Sequence, residues 1–150
     1  FRSGYDILTL GAAATFHDLG KYYTPIEILQ KPGRLTPEEF SIIKLHPQAS
    51  WQLLMESHGE IIAEIALQHH ERMDGSGYPR GLHADAIRMD ARIIAVADVF
   101  DAITSKRSYN NPVSYEQALS IMEQEQQLYD SDVLHALHIL VREKRLSISI

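Results

Sequence analysis

Asp90-Ala-Arg-Ile-Ile-Ala-Val-Ala-Asp-Val-Phe-Asp-Ala-Ile-Thr-Ser105 decides the class of fold. Taken as a helix, this stretch is too apolar through its middle to lie on a protein surface. Its run from Ile93 to Phe100 is the longest apolar run in the chain and is broken only by Asp98. It falls far short of the roughly 18 apolar residues that a membrane span requires. A carboxylate inside a run that should be buried nearly all round must be paired, hydrogen-bonded or metal-bound. Arg92, six residues earlier, is poorly placed to pair with Asp98, and Asp101 adds further negative charge. Both features favour a cation nearby, with a structural salt bridge as the other reading.

Working outward, the rest of the chain carries helical periodicity and no convincing strand alternation. A first helix is expected from about Asp6 to Leu19, stopping near Gly20. A loop follows through Pro25, Lys31, Pro32 and Gly33. Thr36-Pro37-Glu38-Glu39 is a strong helix start, with Thr36 as cap, Pro37 in the first turn and Glu39 completing a capping box. Pro47 is expected to break or kink that helix just after His46. A further helix spans about Glu60 to His70, followed by an irregular stretch from Glu71 to Ile87 that holds Gly75, Gly77, Pro79 and Gly81. Ser114 to Gln117 repeats the capping-box pattern, and a last helix runs from about Ser131 to Arg145. No internal repeat or long linker divides the chain, so one all-α domain over residues 1–150 is the expectation.

Composition narrows the function. The 150 residues are 45% hydrophobic and 23% charged, which is ordinary for a globular domain. A formal net charge of −6 argues against salt-driven binding to a nucleic acid polymer, which needs a basic footprint. A phosphate ligand can still bind where a metal ion supplies positive charge. With no cysteine, disulfides, thiolate metal sites and cysteine nucleophiles are excluded. No segment suits membrane insertion and no signal-peptide pattern is seen, which makes the cytoplasm the default compartment. The eight histidines are the unusual count.

Four of those histidines, with two aspartates, form a candidate constellation. His17-Asp18 ends the first helix, and consecutive side chains there diverge by about 100°, so the pair could serve two metal ions or simply cap a helix end. Lys21 follows at i+4 from His17 and i+3 from Asp18, on the same face if the helix persists. His69-His70 would repel if both rings were protonated. A metal removes that conflict by binding both neutral, although one buried and one solvated ring is the simpler arrangement for an isolated pair. His46, at the kink before Pro47, is the weakest signal. Imidazoles and carboxylates without thiolate suit a two-metal hydrolytic centre of Mn, Fe, Ni or Zn, able to grip a phosphodiester.

These residues resemble the HD-GYP family. His17-Asp18-Leu19-Gly20-Lys21, His46-Pro47 and His69-His70-Glu71-Arg72-Met73-Asp74-Gly75-Ser76-Gly77-Tyr78-Pro79 carry the resemblance. It continues through Ala97-Asp98-Val99-Phe100-Asp101-Ala102 and Thr104-Ser105-Lys106-Arg107. The eleven residues from His69 to Pro79 are its most specific part. The resemblance implies a compact multi-helix bundle of the HD superfamily and a bacterial phosphodiesterase for cyclic di-GMP, or for cyclic GMP-AMP as in some members. It further implies two divalent metal ions, one on His17, Asp18 and Asp98, and a second on His46, His69 and His70 with Asp18 bridging.

On the same resemblance Lys21 would contact the scissile phosphate, while Tyr78 and Arg107 would line the substrate groove. The implied reaction is attack of metal-bound hydroxide on phosphorus, giving the linear dinucleotide with or without further cleavage to GMP. Phe1-Arg2-Ser3-Gly4 is expected to be a cut inside a longer protein, after the family's first metal-ligand helix, leaving the domain N-terminally truncated. Ser108-Tyr109-Asn110 departs from the family's usual basic continuation. The competing expectation is a catalytically silent module whose Gly77-Tyr78-Pro79 loop docks a partner such as a diguanylate cyclase domain. His58, His83, His135 and His138 match no motif and are expected on the surface or facing a partner.

Overall fold

Two capping boxes fix helix starts where the sequence predicts them. In a computed structural model that describes residues 6–105 and 113–146, the Thr36 and Ser114 side chains each accept from the amide three residues on, and Glu39 and Gln117 reach back. They open α3 (Pro37–Ile43) and α7 (Tyr115–Gln124). The other helices are α1 (Ile7–Phe16), α2 (Ile26–Leu29), α4 (His46–Ser57), α5 (Glu60–Gln68), α6 (Met89–Thr104) and α8 (Ser131–Arg142). Short 3-10 turns occupy Leu19–Tyr23, Ala84–Ala86 and Gln126–Leu128. Among the described residues there is no strand, only an isolated bridge between Asp74 and His83. The fold is all-α, as expected.

The long helix α6 joins two halves of the core. On one side Val96 and Phe100 pack with Ala118, Leu119 and Met122 of α7 and Val133, Leu137 and Val141 of α8. On the other, Ala91 and Ile94 pack with Ala13 of α1 and Ile65 of α5. Leu54 of α4 closes a third cluster against Ala63 and Ala66. Arg92 leaves this apolar contact to bind the Ile87 and Ala84 carbonyls and the Asp130 carboxylate, tying the loop before α6 to the cap of α8.

Four expectations are corrected. Helix α3 already ends at Ile43, and Pro47 lies in the first turn of a new helix, α4, instead of breaking an old one. Proline suits that position because its missing N–H has no helical partner there. Helix α1 stops at Phe16, so His17 and Asp18 sit in the turn beyond it. The segment after Pro25 contains the one-turn helix α2. Finally, α6 is not buried all round: Ala97 is exposed and Asp98 half-buried.

Candidate metal centre

The turn after α1 delivers His17 and Asp18 against α4, and the packing there leaves no spare room. A Cβ on Gly20 would overlap the His46 carbonyl oxygen and the Ser50 amide. Only glycine permits this approach. The fully buried Ser50 Oγ accepts from the Gly20 N–H at 2.8 Å and donates to the His17 carbonyl at 2.7 Å. Ser50 lies one turn after His46, so this clamp sets the His-Asp turn against the helix that begins with His46.

Three imidazoles then share one device. Nδ1 of His17, His46 and His69 each lies within hydrogen-bond distance of the carbonyl three residues earlier, at 2.8 Å from Ala14, 2.7 Å from Ile43 and 2.6 Å from Ala66. A carbonyl only accepts, so each ring carries a proton on Nδ1, and in its neutral form turns the Nε2 lone pair inward. These lone pairs converge on Asp18. His46 Nε2 is 3.1 Å and His69 Nε2 3.7 Å from Oδ1, whereas His17 Nε2 is 3.5 Å from Oδ2. The two oxygens of one carboxylate therefore face different rings. Asp98 Oδ1 lies 3.9 Å from His17 Nε2.

His70 completes the group. Asp18, His46, His69 and His70 each offer a ligand atom, all within 4.8 Å of one another. The His69 and His70 rings lie 4.0 Å apart, and the Tyr78 ring stacks on His70 at 4.7 Å and 28°. Burial pulls His69 down to about 3 and His70 well below the usual imidazole range, so both rings are neutral near pH 7. Burial works to raise the Asp18 carboxyl, whereas the Lys21 ammonium beside it works to lower it, and the group lies below the usual carboxylate range. Lys21 Nζ donates to Asp18 Oδ2 at 2.6 Å. Burial pushes the Tyr78 phenol above its ordinary range.

The donor set fits a divalent cation. His17 Nε2 and Asp18 Oδ1 are buried without a hydrogen-bond partner. Lone pairs of nitrogen and carboxylate oxygen facing one another at these distances repel unless a cation lies between them, and an unpaired buried polar atom is costly. Backbone carbonyls on the opposite ring nitrogens also match the way proteins orient metal-binding histidines.

Around this cluster the loop 72–82 is held by Glu71, a residue with no role in the expectations above. Glu71 is buried, and its two carboxylate oxygens accept from the Arg80 amide at 2.7 Å and the Leu82 amide at 2.9 Å. A Cβ on Gly77 would overlap backbone at His70, Glu71 and Arg72, so the loop folds directly onto the histidine pair. Arg80 returns to Glu64 of α5. Of the predicted site residues, His17, Asp18, Lys21, His46, His69, His70, Tyr78 and Asp98 are brought together, while Arg107 lies outside the described residues. Ser50 was hidden because a helix beginning at His46 was not expected. Glu71 carries no periodic or spacing signal at all. His58, His83 and His135 are exposed and stand apart from the cluster, as does the less exposed His138.

Comparison with known proteins gives concordant results. Residues 5–133 match the HD domain family model. The chain is 48% identical over 135 residues to a cyclic di-GMP phosphodiesterase of Thermotoga maritima, covering 87% of this chain and 37% of the relative. It is 44% identical to the cyclic di-GMP phosphodiesterase response regulator RpfG of Xanthomonas campestris, covering 88% and 36%. It is also 47% identical to the 3'3'-cGAMP-specific phosphodiesterase 1 of Vibrio cholerae, covering 73% and 26%. The chain thus spans between about a quarter and just over a third of the length of these relatives. In structure it is similar to Bd1817, an HDG"Y"P protein from Bdellovibrio bacteriovorus, with a TM-score of 0.71 at 20% identity over 89% of this chain and 43% of that one. That likeness concerns the fold. Among the described residues no helix is long and apolar enough to cross a membrane.

Proposed function

This chain belongs to the HD domain family, and from that premise we propose that it is the hydrolytic domain of a metal-dependent phosphodiesterase for cyclic di-GMP, occupying residues 1–150 as one unit. The observation that carries the reading is the convergence of three Nε2 lone pairs on the two oxygens of Asp18. It supports two divalent ions, of Fe, Mn, Ni or Zn, with Asp18 between them. His17 and Asp98 would complete one site, and His46, His69 and His70 the other. When bound, such ions neutralise phosphate charge and make water acidic enough to yield a nucleophile near neutral pH.

The chain's own residues supply the rest. Asp18 fixes the spacing of the two donor sets through its two oxygens. Lys21 is held beside that carboxylate by a 2.6 Å hydrogen bond, where a phosphate oxygen arriving at the cluster would meet its remaining protons. Tyr78, flat against His70, lines the proposed groove and forms a wall that limits access of water. Arg107 belongs to the same proposed groove by its place in the motif, and a cyclic dinucleotide substrate implies the cytoplasm.

A second substrate is favoured by one observation: the relatives at 48% and 47% identity carry cyclic di-GMP and 3'3'-cGAMP in their names, respectively. Docking of a diguanylate cyclase domain through the loop is supported less well. Tyr78 is half-buried, which leaves Asp74, Ser76, Pro79 and Arg80 as the exposed residues of the loop 72–82.

The test is turnover of cyclic di-GMP and of cyclic GMP-AMP after anaerobic loading with Mn(II) or Fe(II), with products separated by chromatography. Linear dinucleotide or mononucleotide supports the reading. Intact substrate with both ions would overturn it.

A further inference from the structure

Among the described residues four basic side chains stand on the segments that carry His17-Asp18, His46 and His69-His70, and three of them are engaged. Lys21 donates to Asp18. Arg72 donates to the His69 and Glu71 carbonyls. Arg80 is paired with Glu64. The fourth, Lys44, has no carboxylate within ion-pair distance among the described residues. Its ammonium lies over two aromatic rings, 4.8 Å from the centroid of Phe40 and 5.3 Å from that of Tyr78. Phe40 meets Tyr78 edge-on at 6.4 Å, and Tyr78 in turn stacks on His70. Lys44 is thus an exposed cation, one ring removed from a proposed metal ligand and two residues before another.

Two rings restrict the ammonium without neutralising it. Cation–π attraction holds the charge in place and leaves its N–H donors free on the open side. An anion would find there a donor whose entropy cost of ordering is already reduced. A cyclic dinucleotide carries two phosphodiesters joined through two riboses, so when one is at the His/Asp cluster the other lies displaced from it and needs its own counter-charge.

We propose that Lys44 binds the second phosphate of a cyclic dinucleotide, with Phe40 and Tyr78 as its platform. The inference rests on the function proposed above and adds a specificity residue to it. It distinguishes a substrate with two phosphates from one with a single phosphodiester.

The experiment compares wild type with Lys44→Met, which keeps an unbranched stem on the rings without charge, and Lys44→Arg, which keeps the charge. Steady-state kinetics are measured with cyclic di-GMP and with bis(para-nitrophenyl) phosphate, together with metal content. For K44M the KM for cyclic di-GMP should rise about tenfold or more with kcat little changed, as expected for loss of a charged hydrogen bond. The KM for bis(para-nitrophenyl) phosphate and the metal content should not move, and K44R should restore most of the loss. An unchanged KM for cyclic di-GMP, or equal losses on both substrates, overturns the proposal and leaves the function intact. A wild type that cleaves bis(para-nitrophenyl) phosphate but not cyclic di-GMP overturns the function as well.

Discussion

His46 and His69 meet Nε2 to Nε2 at 3.3 Å, each with its other ring nitrogen on a backbone carbonyl. In their neutral forms, rings so arranged present lone pair to lone pair. Only a proton or a cation between them turns repulsion into attraction. With Asp18 Oδ1 3.1 Å from His46, a cation also satisfies a buried carboxylate oxygen that otherwise has no partner.

Removing the shared carboxylate should therefore empty the centre. Asp18→Asn is expected to abolish turnover and to lose most bound metal in the same preparation. Metal content by elemental analysis checks this, and a D18N protein that retains both ions and activity would contradict it. Because the ions would bind only the folded chain, chelation should also lower the melting temperature of wild type, with binding at a hundredfold above Kd contributing about 2.7 kcal/mol. D18N should show no such shift.

Ser50 tests the clamp. Ser50→Ala removes the acceptor for the buried Gly20 N–H and the donor to the His17 carbonyl. Unmet groups of this kind cost about 1–3 kcal/mol, to be read from urea unfolding. Metal affinity should fall as well, because the His17-Asp18 turn loses its tie to the His46 helix. Gly20→Ala should be worse, since its Cβ overlaps rigid backbone rather than a flexible side chain.

Glu71 separates loop position from metal binding. Glu71→Gln keeps one carbonyl acceptor but turns an NH2 donor towards the second loop amide, and the loop 72–82 should loosen. The expected outcome is a lower kcat/KM for the dinucleotide with metal content retained. Faster cleavage of the loop by a protease such as trypsin, at Arg72 or Arg80, would register the loosening directly.

Glu64 sets a pH dependence. Its burial raises the carboxyl, but hydrogen bonds from Arg80, Gln68 and Trp51 outweigh this and hold it below its ordinary 4.5. A group lowered on folding contributes stability above its unfolded value, and that contribution is lost as pH falls through the folded value. The melting temperature should thus decline below about pH 4.5, and less steeply in Glu64→Gln. Equal slopes in both proteins would show that Glu64 has no part in it.

The helical class was legible because apolar periodicity and two capping boxes are local signals, and α3, α6, α7 and α8 begin within a residue or two of where those signals lie. Pro47 misled because the same residue breaks a helix from within and starts one from its first turn, and only the packing of α4 decides between them. The six converging His and Asp residues were legible as residue types at motif spacing. The opposite facings of the Asp18 oxygens and the role of Ser50 depend on contacts between distant parts of the chain, which no window of sequence contains. The tautomers and the role of Glu71 rest on nearer contacts, to carbonyls three residues back and amides nine and eleven residues on, but only the folded backbone brings those groups into line.

Electron paramagnetic resonance of the chain titrated anaerobically with Mn(II) tests the centre most directly. Two ions sharing Asp18 should give a spin-coupled spectrum that saturates at two equivalents and disappears in D18N. A spectrum of free aqueous Mn(II) alone at every ratio would contradict the existence of a metal centre in this cluster.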